Sequence, residues 1–278
     1  MTTTPEPPAG LDLPAYLDRI GLDTVQGPGL DSLRRIVAAH AQTIAFENLN
    51  PFTGREVPLD QEALTAKLVH GGRGGYCFEQ NLLLKGALDA LGFRTTGLGA
   101  RVVWGRPEGA APGARTHMLL RVELPQGPHL VDVGFGGVTL TGVLALEPET
   151  EQPTPHEPFR LWPDGRNGYV LQAKVRDTWR PVYTFDLGEQ LLADYQVSNY
   201  YLSHHPASPF VSALMAARPA PDRRYALNGA AFAVHHLDGP TERRTLQGPS
   251  EVCQVLEEHF LLDLTGLPGL DAALARLF

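Results

Sequence analysis

The stretch Arg73-Gly74-Gly75-Tyr76-Cys77-Phe78-Glu79-Gln80-Asn81 puts a thiol just behind a glycine pair and just ahead of an apolar run with helical spacing. The glycines let the backbone turn freely, and the run that follows places Cys77 at or next to the first turn of a helix. Backbone N–H groups there have no partner within the helix, and the macrodipole is positive. Both favour a thiolate over a thiol, and the thiolate is the form of cysteine that attacks. The chemistry this placement serves is covalent catalysis through sulfur.

A cysteine nucleophile needs a base to take its proton and a third group to hold that base. His117 stands at the start of a strand-like run, Thr116-His117-Met118-Leu119-Leu120, and Asp132 stands near the end of another, Leu130-Val131-Asp132-Val133-Gly134. A carboxylate between two valines on a strand is costly to bury without a partner, and an imidazole N–H would serve as one. A hairpin closed by Pro125-Gln126-Gly127-Pro128 pairs Leu124 with His129 and sets Asp132 opposite Arg121. His117 shares that face but lies four residues further along, about 13 Å at strand rise. This register leaves the pair apart unless a bulge, a bend or another pairing closes the gap, and it makes Arg121 a rival partner for Asp132. Each residue also has an ordinary structural reading: Cys77 as a small buried hydrophobe, His117 as a packed imidazole, Asp132 as a strand-end ion pair. Cys253, on an amphipathic run, reads as half-buried packing. The pairs His204-His205 and His235-His236 diverge in helix or strand, so neither predicts a shared metal.

The elements around these residues change period along the chain. Helical spacing is predicted over residues 13–20, over a run capped by Asp31 that includes Leu33, Ile36, Val37 and His40, and over a run capped by Asp60 that includes Leu64, Leu68 and Val69. The Cys77 helix carries the stripe Leu84, Leu88, Leu91 and stops at Gly92. Strands are predicted over 95–104, 116–124, 129–135, 168–175, 180–185 and 230–237, which together read as an antiparallel sheet or barrel. A last helix, 250–260, starts at a Ser250 cap. Segments 148–158 and 217–222 read as surface loops and linkers.

Composition narrows the class. The chain has 278 residues, 43% of them hydrophobic, which suffices for a sizeable core. A net charge of −8 without a Lys/Arg run argues against a nucleic-acid surface. Two cysteines, at no metal-ligand spacing, argue against a disulfide scaffold or a zinc site and suit a reducing cytosol. Residues 1–10 are Thr/Pro-rich without a positive flank or apolar core and do not read as a signal peptide, and no uninterrupted apolar stretch has the length of a bilayer span.

Taken together, the motifs resemble those of the arylamine N-acetyltransferases. The resembling residues are Phe46-Glu47-Asn48-Leu49, the block from Arg73 to Asn81, Thr116-His117, Asp132-Val133-Gly134-Phe135-Gly136, and Asn199, Tyr201, Pro206, Ser208 and Phe210. They lie in the family's order and spacing across most of the chain. The resemblance implies an α+β architecture: an N-terminal helical bundle (1–93) carrying the cysteine, a central antiparallel β-barrel (94–200) carrying His and Asp, and a C-terminal α/β lid (201–278). Cys, His and Asp would be arranged as in cysteine peptidases. It also implies that the fold closes the gap the simple hairpin leaves.

The same resemblance implies that Cys77, His117 and Asp132 are catalytic and that acetyl-CoA is the acyl donor, with no permanently bound cofactor or metal. Partners would be acetyl-CoA and small aromatic amines or hydrazines, with neither nucleic acid nor membrane. Phe46, Thr116 and Phe135 would meet the amine; Gly113, Ala114, Tyr201 and Ala207 would lie near CoA. Glu47 and Arg73 would form a structural ion pair. Ala207 stands where the family commonly has Ser or Thr, and Gly137 where some relatives carry a large residue. The expected reaction is ping-pong acetyl transfer through an acetyl-cysteine thioester. Rival readings are an amide synthase on the same scaffold, a cysteine peptidase or transglutaminase-like enzyme, and a binding protein with a degenerate site.

Overall fold

A computed structural model describes residues 8–107 and 109–278; residues 1–7, part of the stretch read as lacking a signal peptide, lie outside the described residues. Helix α1 (Leu13–Arg19) starts at Asp12, whose carboxylate accepts the Ala15 amide at 3.0 Å. Helix α2 (Leu30–Thr43) buries Leu33, Ile36, Val37 and His40, as its spacing predicts, but its cap is Gly29; Asp31 lies inside the first turn, where its charge still suits the dipole. Strand β1 (Phe46–Glu47) and the single turn α3 (Leu49–Phe52) follow. Asp60 caps α4 (Gln61–Leu64), which continues as a π-helical stretch over Thr65–His70. Helix α5 (Cys77–Ala90) begins on the cysteine itself. Of its 14 residues 12 are buried, so Glu79, Gln80 and Asn81 in its first turns must all find partners inside the protein. Gly92, at φ 86°, ends it in the left-handed region.

From residue 94 the period becomes that of strands. Strands β2 (Arg94–Val102), β3 (His117–Leu124), β4 (Gly127–Val131), β5 (Leu144–Ala145), β6 (Phe159–Pro163), β7 (Tyr169–Val175) and β8 (Thr178–Glu189) form one antiparallel sheet in the order β5-β4-β3-β2-β8-β7-β6. The sheet curls until its edges almost meet. Gln152 joins them, its side chain bonding the Ala145 backbone at 2.8 and 2.9 Å and its backbone bonding Phe159 at 2.8 and 2.9 Å. Leu98, Leu119, Leu130, Phe159, Leu171 and Tyr183 fill the interior.

The rest of the chain comprises α6 (Leu192–His204), α7 (Pro209–Ser212), β9 (Met215–Ala220), β10 (Arg223–Asn228), β11 (Ala231–His236), β12 (Thr241–Thr245), α8 (Pro249–Glu258) and α9 (Leu270–Ala275). These strands form a second antiparallel sheet, β1-β9-β10-β11-β12, which takes its first strand from the N-terminal part. Segment 217–222 is therefore no linker. Residues 217–220 belong to β9, and Pro219 is accommodated because β1 pairs only with Ala216 and Ala217, leaving β9 open on that side. Helix α8 starts with Pro249 at its first position and Gly248 as cap, one residue before the expected Ser250 start. Helix α6 spans the expected boundary at 200/201. Its apolar pattern hides it from sequence reading, because Leu191, Leu192, Val197 and Tyr200 point to solvent.

Candidate active site

The turn between β3 and β4 decides whether His117 and Asp132 meet. The loop holds only Pro125 and Gln126, with Gly127 at φ 113°, and Leu124 pairs with Gly127 rather than with His129. This tightening slides β4 by two residues and keeps every side chain on its expected face. Leu120 then pairs with Val131, which brings Asp132 level with Leu119 instead of Arg121. The remaining offset from His117 is two residues, roughly 7 Å of strand, and the two side chains close it: His117 Nε2 lies 2.6 Å from Asp132 Oδ2. Arg121 is no rival, since it pairs with Glu123 on its own strand.

Asp132 is fully buried and held at both oxygens. Its Oδ1 accepts from Gly134 N at 2.9 Å and from Asn81 Nδ2 at 3.0 Å. Burial alone would push its carboxyl up; the His117 charge and these hydrogen bonds win and hold it below the usual carboxylate range. For His117 burial pulls the other way, and the Asp132 carboxylate, with Cys77 beside it, raises the imidazole to about 10. The ring is gripped by Tyr183 and Phe135, whose centroids lie 4.9 and 5.3 Å away. With Nε2 turned to Asp132, Nδ1 is the nitrogen left for the thiol. Cys77, 3% exposed at the first position of α5, has its Sγ 3.5 Å from the Thr116 carbonyl, next to His117 in the chain.

Asn81 ties these pieces together. It stands one turn after Cys77, and its amide nitrogen lies 3.2 Å from the Cys77 carbonyl, 2.8 Å from the Met118 carbonyl and 3.0 Å from Asp132. Its Oδ1 accepts from Val133 N at 3.2 Å. The nucleophile helix is thus bonded to the strand bearing His117 and to the segment bearing Asp132 through one side chain. Sequence reading gave Asn81 no such part, although its i+4 spacing from Cys77 on a buried helix was a usable signal. Gly134 completes the fit, because a Cβ there would lie 2.6 Å from the Cys77 Cα.

Beneath α5, charges are buried in balanced pairs. Arg73 donates to Glu47 at 2.6 Å, as expected, and Lys67 donates to Glu79 at 2.6 Å, a pair the sequence did not reveal. Glu79 also accepts from Tyr76 N at 3.0 Å, satisfying one orphan donor of the helix start. Burial and the neighbouring Glu47 leave its carboxyl raised despite Lys67.

The thiol faces a cavity of about 720 Å³. Phe46, Thr116, Phe135, Gly113, Ala114 and Tyr201 all line it with Cys77 and His117. Ala207 does not; it lies on an exposed turn after α6, its N–H donating to His205 Nδ1 at 3.1 Å. Phe210, which meets Phe46 at 5.9 Å between centroids, and Trp104 extend the apolar wall, and Gly137 leaves part of it bare.

A family profile described as N-acetyltransferase matches residues 29–267. The chain is 45% identical to an arylamine N-acetyltransferase of Mycolicibacterium smegmatis over 264 residues, 94% of this chain and 95% of that protein. The chain belongs to the arylamine N-acetyltransferase family. Solved members share its fold. The Mycobacterium marinum enzyme in complex with CoA matches with a TM-score of 0.92 at 44% identity, covering 96% of this chain and 99% of that one. The Salmonella typhimurium enzyme matches with a TM-score of 0.89 at 35% identity, covering 95% and 98%. The mixed helical and sheet architecture with its nearly closed seven-stranded barrel, as the resemblance implied, is this family's fold, with the cysteine-protease-like arrangement.

In this arylamine N-acetyltransferase-family chain a second cavity, about 430 Å³, adjoins the first and shares Ala226 and Asn228 with it. Arg243, Arg244 and His235 line it. Arg243 and Arg244 lie on β12, with Arg244 stacked on Phe232 across the sheet, and His235 lies on β11 with its imidazole lowered by burial and by Arg243; all are far in sequence from the motifs around Cys77.

Proposed function

We propose that this chain transfers the acetyl group of acetyl-CoA to the nitrogen of an aromatic amine or hydrazine, through a thioester on Cys77. The observation that carries the reading is the position of that thiol. It opens a buried helix, faces the 720 Å³ cavity, and has the His117–Asp132 pair beside it.

In the first half-reaction His117 takes the Cys77 proton at Nδ1 while Asp132 holds the ring and stabilises its charge. Sulfur attacks the thioester carbonyl, and backbone N–H groups at the start of α5 stabilise the oxyanion. CoA leaves as a thiol protonated by His117. In the second half-reaction an amine attacks the acetyl-cysteine and His117 receives its proton. The wall built from Phe46, Phe135 and Phe210 suits a flat ring and keeps water from the thioester. The donor's phosphates need local cations in an acidic chain, and Arg243, which shares the cavity-facing side of the sheet with His235, supplies one. A free thiol as nucleophile suits a reducing compartment such as the cytoplasm.

Mixing the protein with acetyl-CoA, without amine, should release one CoA per chain and add one acetyl group to the peptide containing Cys77; an arylamine should then remove it. Acetylation of the amine with Cys77 never modified, or by Cys77→Ala, would replace this mechanism with direct transfer.

A further inference from the structure

Helix α6 touches the body of the protein at two places that bear on the reacting pair. It has no continuous apolar stripe to hold it: Val197 and Tyr200 are 75% and 67% exposed, and its buried residues are Tyr195, Asn199, Leu202 and Ser203. Tyr195 and Leu202 pack into the main core, and polar contacts supply the rest of the hold. The Tyr195 hydroxyl donates to the Leu98 carbonyl at 3.2 Å, in space that Gly97 leaves for it. Ser198 Oγ donates to the Arg115 carbonyl at 2.9 Å. Asn199 Oδ1 accepts from the Tyr76 hydroxyl, and its Nδ2 donates to the Val57 carbonyl at 2.9 Å, which fixes the orientation of the amide.

The positions of the two anchors are what matter. Tyr76 immediately precedes Cys77, and Arg115 is two residues before His117. Residues 103–116 connect β2 to β3 without regular structure among those described, and three of them are glycine: Gly105, Gly109 and Gly113. Besides the Ser198 bond, the side-chain ties on this connection among the described residues are Arg101 to the Gly113 carbonyl at 2.5 Å, Arg106 to the Ala111 carbonyl at 2.6 Å, the Arg115–Asp186 ion pair, and the Cys77 thiol to the Thr116 carbonyl at 3.5 Å. Neighbouring residues on a helix keep a fixed separation of about 1.5 Å along its axis. A rigid element thus holds the backbone leading into the base with one residue and, with the next, the side chain of the residue that leads into the nucleophile. We propose that Ser198 and Asn199 are positioning residues that set the separation of Cys77 and His117, a role that rests on the thioester mechanism above. Tyr201, two residues further along, lines the cavity, so a donor seated against it bears on the same helix.

The test compares Tyr76→Phe, Ser198→Ala and Ser198→Thr in the full chain. It reads the pH profile of Cys77 alkylation by iodoacetamide, the rate of acetyl-Cys77 formation, KM for acetyl-CoA, and Tm. Other titratable groups around the pair are Asp132, Tyr183, Tyr76 and Tyr195. Burial pushes all three tyrosines up and keeps them neutral across the profile. Tyr76→Phe and Ser198→Ala should each slow alkylation at pH 7 and acetyl-Cys77 formation about tenfold, since sub-ångström misplacement of reacting groups costs rate steeply. KM should stay within about twofold, and Ser198→Thr, which keeps the hydroxyl, should behave as the native chain. Ser198→Ala alters only a half-buried hydroxyl and decides the matter if Tyr76→Phe folds poorly. A fall in Tm with an unchanged alkylation profile would make α6 a structural strut and overturn the proposal. Alkylation needs no acetyl-CoA. A chain whose Cys77 is never acetylated, but whose alkylation depends on Ser198, would therefore refute the thioester and leave the positioning role standing.

Discussion

Gly134→Ala is the smallest change that should separate the three elements of the site. The substituted Cβ would lie 2.6 Å from the Cys77 Cα, 2.9 Å from Asn81 Nδ2 and 3.1 Å from the Cys77 carbonyl oxygen. Ordinary contact begins at 3.4 Å, so the first of these is about 0.8 Å too short, and both partners in it are backbone-fixed. The backbone angles of Gly134 are open to alanine, so the cost is steric. The helix start and the Asp132 loop must part by most of that distance, stretching the 3.0 Å bond from Asn81 to Asp132 and the 2.9 Å bond from Gly134 N to Asp132. Overpacking of this kind costs about 1–3 kcal/mol, or roughly 2–10 °C in Tm for a chain of this size. A displacement near 1 Å between reacting groups costs about 10²-fold in rate. Calorimetry and the pre-steady-state rate of acetyl-Cys77 formation read the two effects. Gly137→Ala is the control for stability, because a Cβ there meets nothing within 4 Å; it should change stability by less than about 0.5 kcal/mol. Native Tm and a native rate in Gly134→Ala would refute the reasoning, because no rearrangement that preserves this geometry makes room for the methyl group.

His40 makes a pH prediction. Tyr16 donates to its Nδ1 at 2.9 Å, its Nε2 lies 2.7 Å from Gln80 Oε1, and Gln80 Nε2 reaches the Ala45 carbonyl at 2.8 Å and the Gly75 carbonyl at 3.2 Å, so this buried chain braces the loop ahead of Cys77. Burial lowers the imidazole to about 4 against the Gln80 bond, so below pH 6.5 the unfolded chain binds a proton that the folded chain refuses until about pH 4. That contribution to stability is complete above pH 6.5 and is lost as pH falls to about 4. Urea unfolding should show the decline in the native chain and a flatter profile in His40→Gln, and equal slopes would reject it. For the donor, Arg243→Ala should raise KM for acetyl-CoA about tenfold, the worth of one charge-assisted contact, with kcat within about twofold, whereas Arg244→Ala, whose guanidinium stacks on Phe232 across the sheet, should leave KM within about twofold. A small thioester without a nucleotide should be used equally well by both variants; a similar loss with that donor would move the phosphates elsewhere.

Local signals made much of the site legible before any coordinates. Glycines ahead of an apolar run located Cys77 at a helix start, the strand runs located His117 and Asp132, and the change of period after residue 93 marked the passage from bundle to barrel. Each depends on neighbours in sequence, and each is seen in the structure except that β4 ends at Val131, so Asp132 follows the strand instead of lying within the expected 129–135 run. Helix α6 and strand β9 were illegible because the pattern that reveals an element is its buried face. Helix α6 keeps large apolar residues in water, and β9 is built largely from alanines beside a proline.

The sequence by itself determined which side chains could do chemistry and which face of its element each would take, because helical and strand periodicities are properties of the local backbone. Only the tertiary structure decided which of them meet. Two residues fewer in the β3–β4 turn brought Asp132 to His117, Asn81 bonded both of their segments to the helix of Cys77, and the pairing of β11 with β12 placed Arg243 beside the second cavity. Register and the packing of distant elements follow from the closure of the whole core, and no short window of residues contains that information.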